Sequence, residues 1–231
     1  ALSRARKDPM ITTAALSPAR RKDVRDLLAT VTSHDGVSAL DEAALLALDG
    51  EDAQHLLLEQ QGAGDARDLL IGYASVLADG TIQGMVHPAH RRHGHGATML
   101  HEALTLHADA AVWAHGALEG SLAFLAAAGL EETRRLLTLR RDLGPGQTLP
   151  EVPTSTLEGL RLDTFDAGRD AESWVAVNGR AFAEHPEQGA LTRADLDQRL
   201  TQPWFDAEDM LVALRDEELV GFVWVKRERP G

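Results

Sequence analysis

Apolar residues recur at helical spacing at Val24, Leu27, Leu28 and Val31, and Ser17-Pro18 just ahead has the form of an N-cap followed by proline. This pattern predicts a helix from Pro18. Ala43, Leu45, Leu46 and Leu48 predict a second. The period then shortens: His55 to Glu59 and Leu69 to Leu77 read as strands, and Asp79-Gly80 turns the chain into a third, Thr81 to Val86. A helix is expected from about Gly96 to Ala108, with Leu100, Ala103, Leu104 and His107 on one face. A short strand follows at Val112 to Ala114, then a helix at Ser121 to Ala128 closed by Gly129, and a last strand at Leu136 to Arg141.

Gly144 to Thr156 carries clustered glycine and proline and no apolar period, which predicts a linker at about 144–157. Behind it, Trp174, Val177, Ala181 and Phe182 form a helical stripe. Thr192 to Asp195 has the form of a capping box leading into Leu196 and Leu200. Met210 to Leu214 and Leu219 to Val225 read as strands joined by a turn at Asp216 to Glu218. Leu70-Ile71-Gly72-Tyr73-Ala74-Ser75-Val76 matches Leu219-Val220-Gly221-Phe222-Val223-Trp224-Val225 in pattern, which points to an internal repeat. By the length of the first copy, the second is expected to stop about 59 residues early at Gly231. The expected organisation is an N-terminal extension over 1–9, a first domain over 10–143, the linker, and the front part of a second domain over 158–231.

Composition narrows the function. The 231 residues include no cysteine, which excludes disulfide scaffolds, cysteine-ligated zinc or iron–sulfur sites and cysteine nucleophiles, and fits a reducing, cytoplasmic compartment. No apolar region follows the basic residues near the N-terminus, so no secretory signal is expected. A formal charge of −13 disfavours nucleic acid as a partner, and no apolar run is long enough for a membrane span.

The chemistry concentrates in Val86-His87-Pro88-Ala89-His90-Arg91-Arg92-His93-Gly94-His95-Gly96-Ala97, where a strand runs into a glycine-containing loop and then a helix. Backbone N–H groups at such a helix start can surround an anion, and Arg91 and Arg92 add positive charge, so the physical reading is a pyrophosphate cradle. The Gly-Lys-Ser/Thr ending of a P-loop is absent. The histidines His87, His90, His93 and His95 match no regular zinc spacing, so no metal is expected.

Val86-x-Pro88 followed by Arg91-x-x-Gly94-x-Gly96 resembles the acetyl-CoA motif of the GCN5-related N-acetyltransferases (GNAT). The resemblance implies an α/β fold with a mixed central sheet flanked by helices, in tandem repeats. It also implies acetyl-CoA as co-substrate, lined in the first repeat by Gly84, Met85, Val86, Arg92, His93, Gly94, His95, Gly96 and Ala97. Many members carry a carboxylate base on the motif strand and a tyrosine acid four residues before the glycine of the later helix. Here those positions hold Gln83 and Leu125, so the first repeat is expected to bind rather than react.

Trp113-Ala114-His115-Gly116, the string from Asn178 through His185-Pro186-Glu187-Gln188-Gly189, Pro203-Trp204-Phe205-Asp206, and Gly221-Phe222-x-Trp224-x-Lys226 are similar to the mycothiol synthase family. That resemblance implies acetylation of the cysteinyl amine of Cys-GlcN-Ins (cysteinyl-glucosaminyl-inositol), by direct attack on the thioester. It also implies Glu42, Glu187 and Lys226 as contacts for that substrate; separately, a monomer is expected. The catalytic base and acid are expected beyond Gly231, and no catalytic residue is assigned. Acetylation of another small amine, or acetyl-CoA binding without catalysis, stays open. Trp204 and Phe205 fit either a substrate wall or a core plug.

Overall fold

The computed structural model describes residues 9–51, 53–62, 68–142, 144, 146 and 158–227. The chain divides after Thr138 into two compact units. Apart from Gly144 and Gly146, the expected linker lies outside the described residues, as do residues 1–8.

The first unit opens with β1 (Met10–Thr13), a strand the sequence pattern did not reveal. Helix α1 (Pro18–Asp35) follows. The Ser17 side chain accepts from the Arg20 N–H at 3.3 Å, and Gly36 ends the helix at φ 74°. Its buried stripe is Val24, Leu27 and Val31. Helix α2 (Glu42–Ala47) is capped by Asp41 and buries Ala44 and Ala47, so the apolar phase differs from the expected one and Ala43 faces outward. Strands β2 (Ala53–Gln60), β3 (Leu69–Leu77) and β4 (Thr81–Val86) form an antiparallel meander. Helix α3 (His95–Thr105) leads to β5 (Ala111–Val112), which pairs parallel with β4, and α4 (Glu119–Ala127) follows. The sheet order is β1-β2-β3-β4-β5. Leu56, Leu57 and Leu58 are all buried because both faces are covered, by α1 and α2 on one side and α3 on the other.

Leu136 to Arg141 is not a strand. These residues pair with no described strand, and Leu136, Leu137 and Leu139 are exposed. Alternating apolar residues make a strand only beside a partner that takes their backbone hydrogen bonds, and here no partner is present among the described residues.

The second unit contains β6 (Leu160–Thr164), also missed by the pattern, then α5 (Ala167–Ala181), the one-turn α6 (Pro186–Gly189) and α7 (Arg193–Leu200). The capping box of Thr192 and Asp195 forms as expected. Strands β7 (Met210–Arg215) and β8 (Glu218–Trp224) complete a three-stranded antiparallel sheet. Trp174 and Val177 are buried in its core, whereas Phe182, at the cap of α5, is exposed.

The internal repeat is structural. The register of β2 against β3 shifts between Leu58 and Glu59, so that Ile71 is the extra residue before Gly72. That of β7 against β8 shifts between Ala213 and Leu214, so that Val220 is the extra residue before Gly221. The two bulges sit at matching residues of the repeat. The faces beyond them differ. Leu56 and Ala74 are 0% and 4% exposed beneath α3, while their counterparts Leu211 and Val223 are 44% and 60% exposed.

Candidate functional site

Strand β5 pairs with β4 only at Thr81 and Ile82, and the Trp113 N–H donates to the Ile82 carbonyl at 3.0 Å. The chain then leaves into the 3-10 turn His115–Ala117. The two parallel strands therefore part beyond Ile82. His87 N–H donates across to the Ile71 carbonyl of β3 at 2.8 Å, so by alternation Gln83 and Met85 address β3 while the backbone of Gly84 and Val86 faces the opening. A Cβ on Gly84 would lie 3.0 Å from the Ala74 Cβ on the neighbouring strand, tighter than side chains pack, so glycine relieves the sheet face there. The Met85 side chain is buried in the core.

The loop after β4 is pinned from below. Arg91 Nη1 and Nη2 donate to the two Asp35 carboxylate oxygens, each at 2.8 Å, and Nε donates to the Val86 carbonyl at 3.0 Å. This bidentate pair holds the Asp35 carboxyl at about 2, well below the usual carboxylate range. Arg91 is thus a clamp between the loop and the C-terminal end of α1. Its charge is already met by Asp35, which corrects the expectation that it serves the anion as Arg92 would. Arg92 is exposed at φ 67°, and Gly94, at φ 84°, is the N-cap of α3. No side chain caps this helix, and no atom lies within 4 Å of where a Gly94 Cβ would stand. The first-turn N–H groups of His95, Gly96 and Ala97 therefore point out of an eleven-residue helix with its positive dipole end behind them. Gly96 lies under the Phe124 ring of α4, 3.5 Å from an added Cβ. A bare strand edge leading into a glycine loop at a helix start suits an elongated ligand with an anionic pyrophosphate.

On the other face of β4, Gln83 is fully buried and its Oε1 accepts from the Asp41 N–H at 2.8 Å and from His115 Nε2 at 2.9 Å. An amide cannot take a proton, and no base is found on this strand. Leu125 lies on α4. Glu42, the first residue of α2, is half-buried.

In the second unit, Lys226 follows β8, and its Nζ sits 4.3 Å from the centroid of the Trp204 ring. Trp204 is itself held against Trp224, whose ring also meets Trp174 and Phe205 at 5.7 and 5.9 Å. Trp204 and Phe205 thus brace the aromatic wall on which Lys226 rests. Glu187 falls in α6, and its side chain lies outside the described residues. The turn around it is anchored by a pair of which Asn178 is buried: Asn178 Nδ2 donates to the Gln188 carbonyl at 2.7 Å and Gln188 Nε2 to Asn178 Oδ1 at 2.9 Å. A Cβ at Gly189 would collide with the Phe182 carbonyl. Among the described residues, no group of three histidine, aspartate or glutamate side chains is placed to hold a metal ion, and no helix is long and apolar enough to cross a membrane.

No protein-family model matches the chain. Mycothiol acetyltransferase of Brachybacterium faecium is 66% identical, across 96% of this chain and 77% of that protein. The chain belongs to the mycothiol acetyltransferase family. The Streptomyces bingchenggensis member is 39% identical across 91% of this chain and 70% of its own length. The fold is that of tandem GNAT proteins. A GCN5-related N-acetyltransferase from Sphaerobacter thermophilus superposes with a TM-score of 0.56 at 20% identity, covering 95% of this chain and 72% of that one. A tandem GNAT protein from the clavulanic acid biosynthesis pathway gives the same score and identity over 93% and 72%.

Within this family frame, sequence reasoning missed Asp35, Asp41 and Asn178 as residues that build the site. Asp35 and Asp41 sit in no motif, Asn178 was visible only as the first residue of a family string, and each acts on a residue distant along the chain or through a backbone group. His115 was visible only as part of a family string.

Proposed function

We propose that the protein transfers the acetyl group of acetyl-CoA to the cysteinyl amine of Cys-GlcN-Ins, giving mycothiol. The observation that carries this is the parted β4–β5 edge running into the glycine loop at the start of α3, in a chain of this family. Gly84 through its backbone and Val86 through its N–H would meet the extended arm of acetyl-CoA, the Val86 carbonyl being taken by Arg91, with Met85 holding the strand between them. Arg92, His93, Gly94, His95, Gly96 and Ala97 would meet its phosphates. With Gln83 and Leu125 in place of a base and an acid, the first unit binds acetyl-CoA and does not react. Residues 10–143 and 158–231 are taken as parts of two acetyltransferase repeats. Glu42, Glu187 and Lys226 are the proposed contacts for the amine substrate, carboxylates suiting its ammonium and hydroxyls and the lysine its hydroxyl oxygens. In the reaction the amine nitrogen bonds to the acetyl carbon, the thioester carbon–sulfur bond breaks, and the proton lost by nitrogen leaves with CoA as its thiol.

The test is incubation of the full-length protein with acetyl-CoA and Cys-GlcN-Ins, following CoA thiol release and the product mass. One acetyl group on the cysteinyl nitrogen is expected. Turnover of a different amine with Cys-GlcN-Ins untouched overturns the substrate assignment. Calorimetric binding of acetyl-CoA with no amine acetylated overturns the enzymatic one.

A further inference from the structure

Gln83 occupies the strand position where a base would serve, and its side chain is used for something else. One oxygen gathers three segments distant in sequence. Oε1 accepts from the backbone N–H of Asp41 at 2.8 Å and from His115 Nε2 at 2.9 Å, while Nε2 has no hydrogen-bond partner among the described residues. The backbone N–H can only donate, so the amide orientation is set, and His115 must carry its proton on Nε2. Burial pushes the His115 ring below its ordinary value, against a smaller opposing pull from the Asp41 carboxylate, which keeps the ring neutral in this role. Gly116, at φ 73°, closes the arrangement. A Cβ there would run into Val37, so the His115–Ala117 turn lies directly on the connection between α1 and α2.

Asp41 is the N-cap of α2, its carboxylate accepting from the Ala44 N–H at 2.9 Å, and Glu42 is the next residue. A six-residue helix has too little internal cooperativity to hold its own position and takes it from what it is tied to. Leu40 and Leu48 at its two ends and Ala44 and Ala47 within it are buried, and a polar tie at its start is the Gln83 oxygen.

We propose that Gln83, backed by His115, is a positioning residue that sets the N-terminus of α2 and with it the Glu42 carboxylate for the amine substrate. The proposal rests on the reading of Glu42 as a substrate contact, and the experiment separates the two. Steady-state kinetics of the full-length protein are measured for Gln83→Leu, Gln83→Glu, His115→Phe and Glu42→Gln, with acetyl-CoA affinity followed by calorimetry. Gln83→Leu is expected to raise KM for the amine about tenfold with kcat within about twofold, as the loss of one buried acceptor allows. Acetyl-CoA affinity stays within about twofold, because Gly84 and Val86 present their backbone to the opening from the opposite parity. Gln83→Glu keeps the acceptor and holds KM within about threefold. If Gln83→Leu does not fold, His115→Phe, which keeps the ring against Trp113 and removes the donor, is expected to raise the amine KM in the same direction.

An unmoved amine KM in folded Gln83→Leu or His115→Phe overturns the proposal. So does an equal loss of acetyl-CoA affinity, which would make Gln83 a support of the strand alone. A raised KM in Glu42→Gln with an unmoved KM in Gln83→Leu removes the positioning role only. An unmoved KM in Glu42→Gln removes the substrate role of Glu42, and the proposal with it.

Discussion

The Asp35–Arg91 clamp makes a prediction whose sign is opposite to the obvious one. If Arg91 met the phosphates of acetyl-CoA directly, Asp35→Asn would free its charge and tighten binding. The geometry says that the pair holds the loop in shape, so the same substitution should weaken binding. The carboxylate is 12% exposed and the guanidinium 34%. Lowering the Asp35 carboxyl from its ordinary 3.8 to about 2 corresponds to about 2.5 kcal/mol of pairing if none of it were screened. With the guanidinium a third open to water, about 1 kcal/mol survives. Spent on reordering the loop, that is about a fivefold loss of acetyl-CoA affinity, read by calorimetry. Because the folded state depresses this carboxyl, its contribution to stability is complete above about pH 4 and is lost as pH falls through about 2. Wild-type stability should therefore drop across that window more steeply than that of Asp35→Asn. Unchanged or tighter acetyl-CoA binding by folded Asp35→Asn would refute the reasoning.

Three further outcomes follow from other parts of the molecule. Trp204→Leu removes the aromatic face beneath the Lys226 ammonium, worth about 0.5–1 kcal/mol at an exposed site, and should raise the amine KM about two- to fivefold, with Trp204→Phe closer to wild type. His55 and His115 are both lowered by burial, so their neutral forms support the fold above about pH 6.5 and that support is lost as pH falls through their folded values. Chemical denaturation between pH 7 and pH 5 should show this loss, reduced in His115→Asn, which can still donate to Gln83. Leu211→Lys, on the open face of the second sheet, should change stability by no more than about 0.5 kcal/mol, whereas Leu56→Lys at the matching place under α3 should cost about 4 kcal/mol or more, a contrast visible in thermal melts.

Strands β3 and β4 and the course of α1 could be read from the sequence almost to the residue, because each carries a strong period bounded by its own cap or turn. Ser17-Pro18, Asp79-Gly80 and the Thr192–Asp195 box act within a few residues of themselves, and local chemistry of that kind survives in one dimension. Strands β1 and β6 could not be read. Each is short, and each exists because a neighbouring strand takes its hydrogen bonds, β2 for Met10–Thr13 and β7 for Leu160–Thr164. Leu136 to Arg141 is the converse case, a strand-like pattern with no described edge to join.

The loop from Val86 to Ala97 was legible as an anion site, since glycines before a helix have few other uses, and the repeat showed in the match between Leu70–Val76 and Leu219–Val225. Its bulges, at Ile71 and Val220, immediately precede the glycines that mark that match. The sequence by itself thus determined the repeat, the acetyltransferase motif and the absence of a proton-accepting side chain at Gln83. Tertiary structure alone decided what Arg91 and Gln83 do, because a guanidinium or an amide has several possible partners and only the fold brings Asp35, Asp41 and His115 within hydrogen-bonding distance of them.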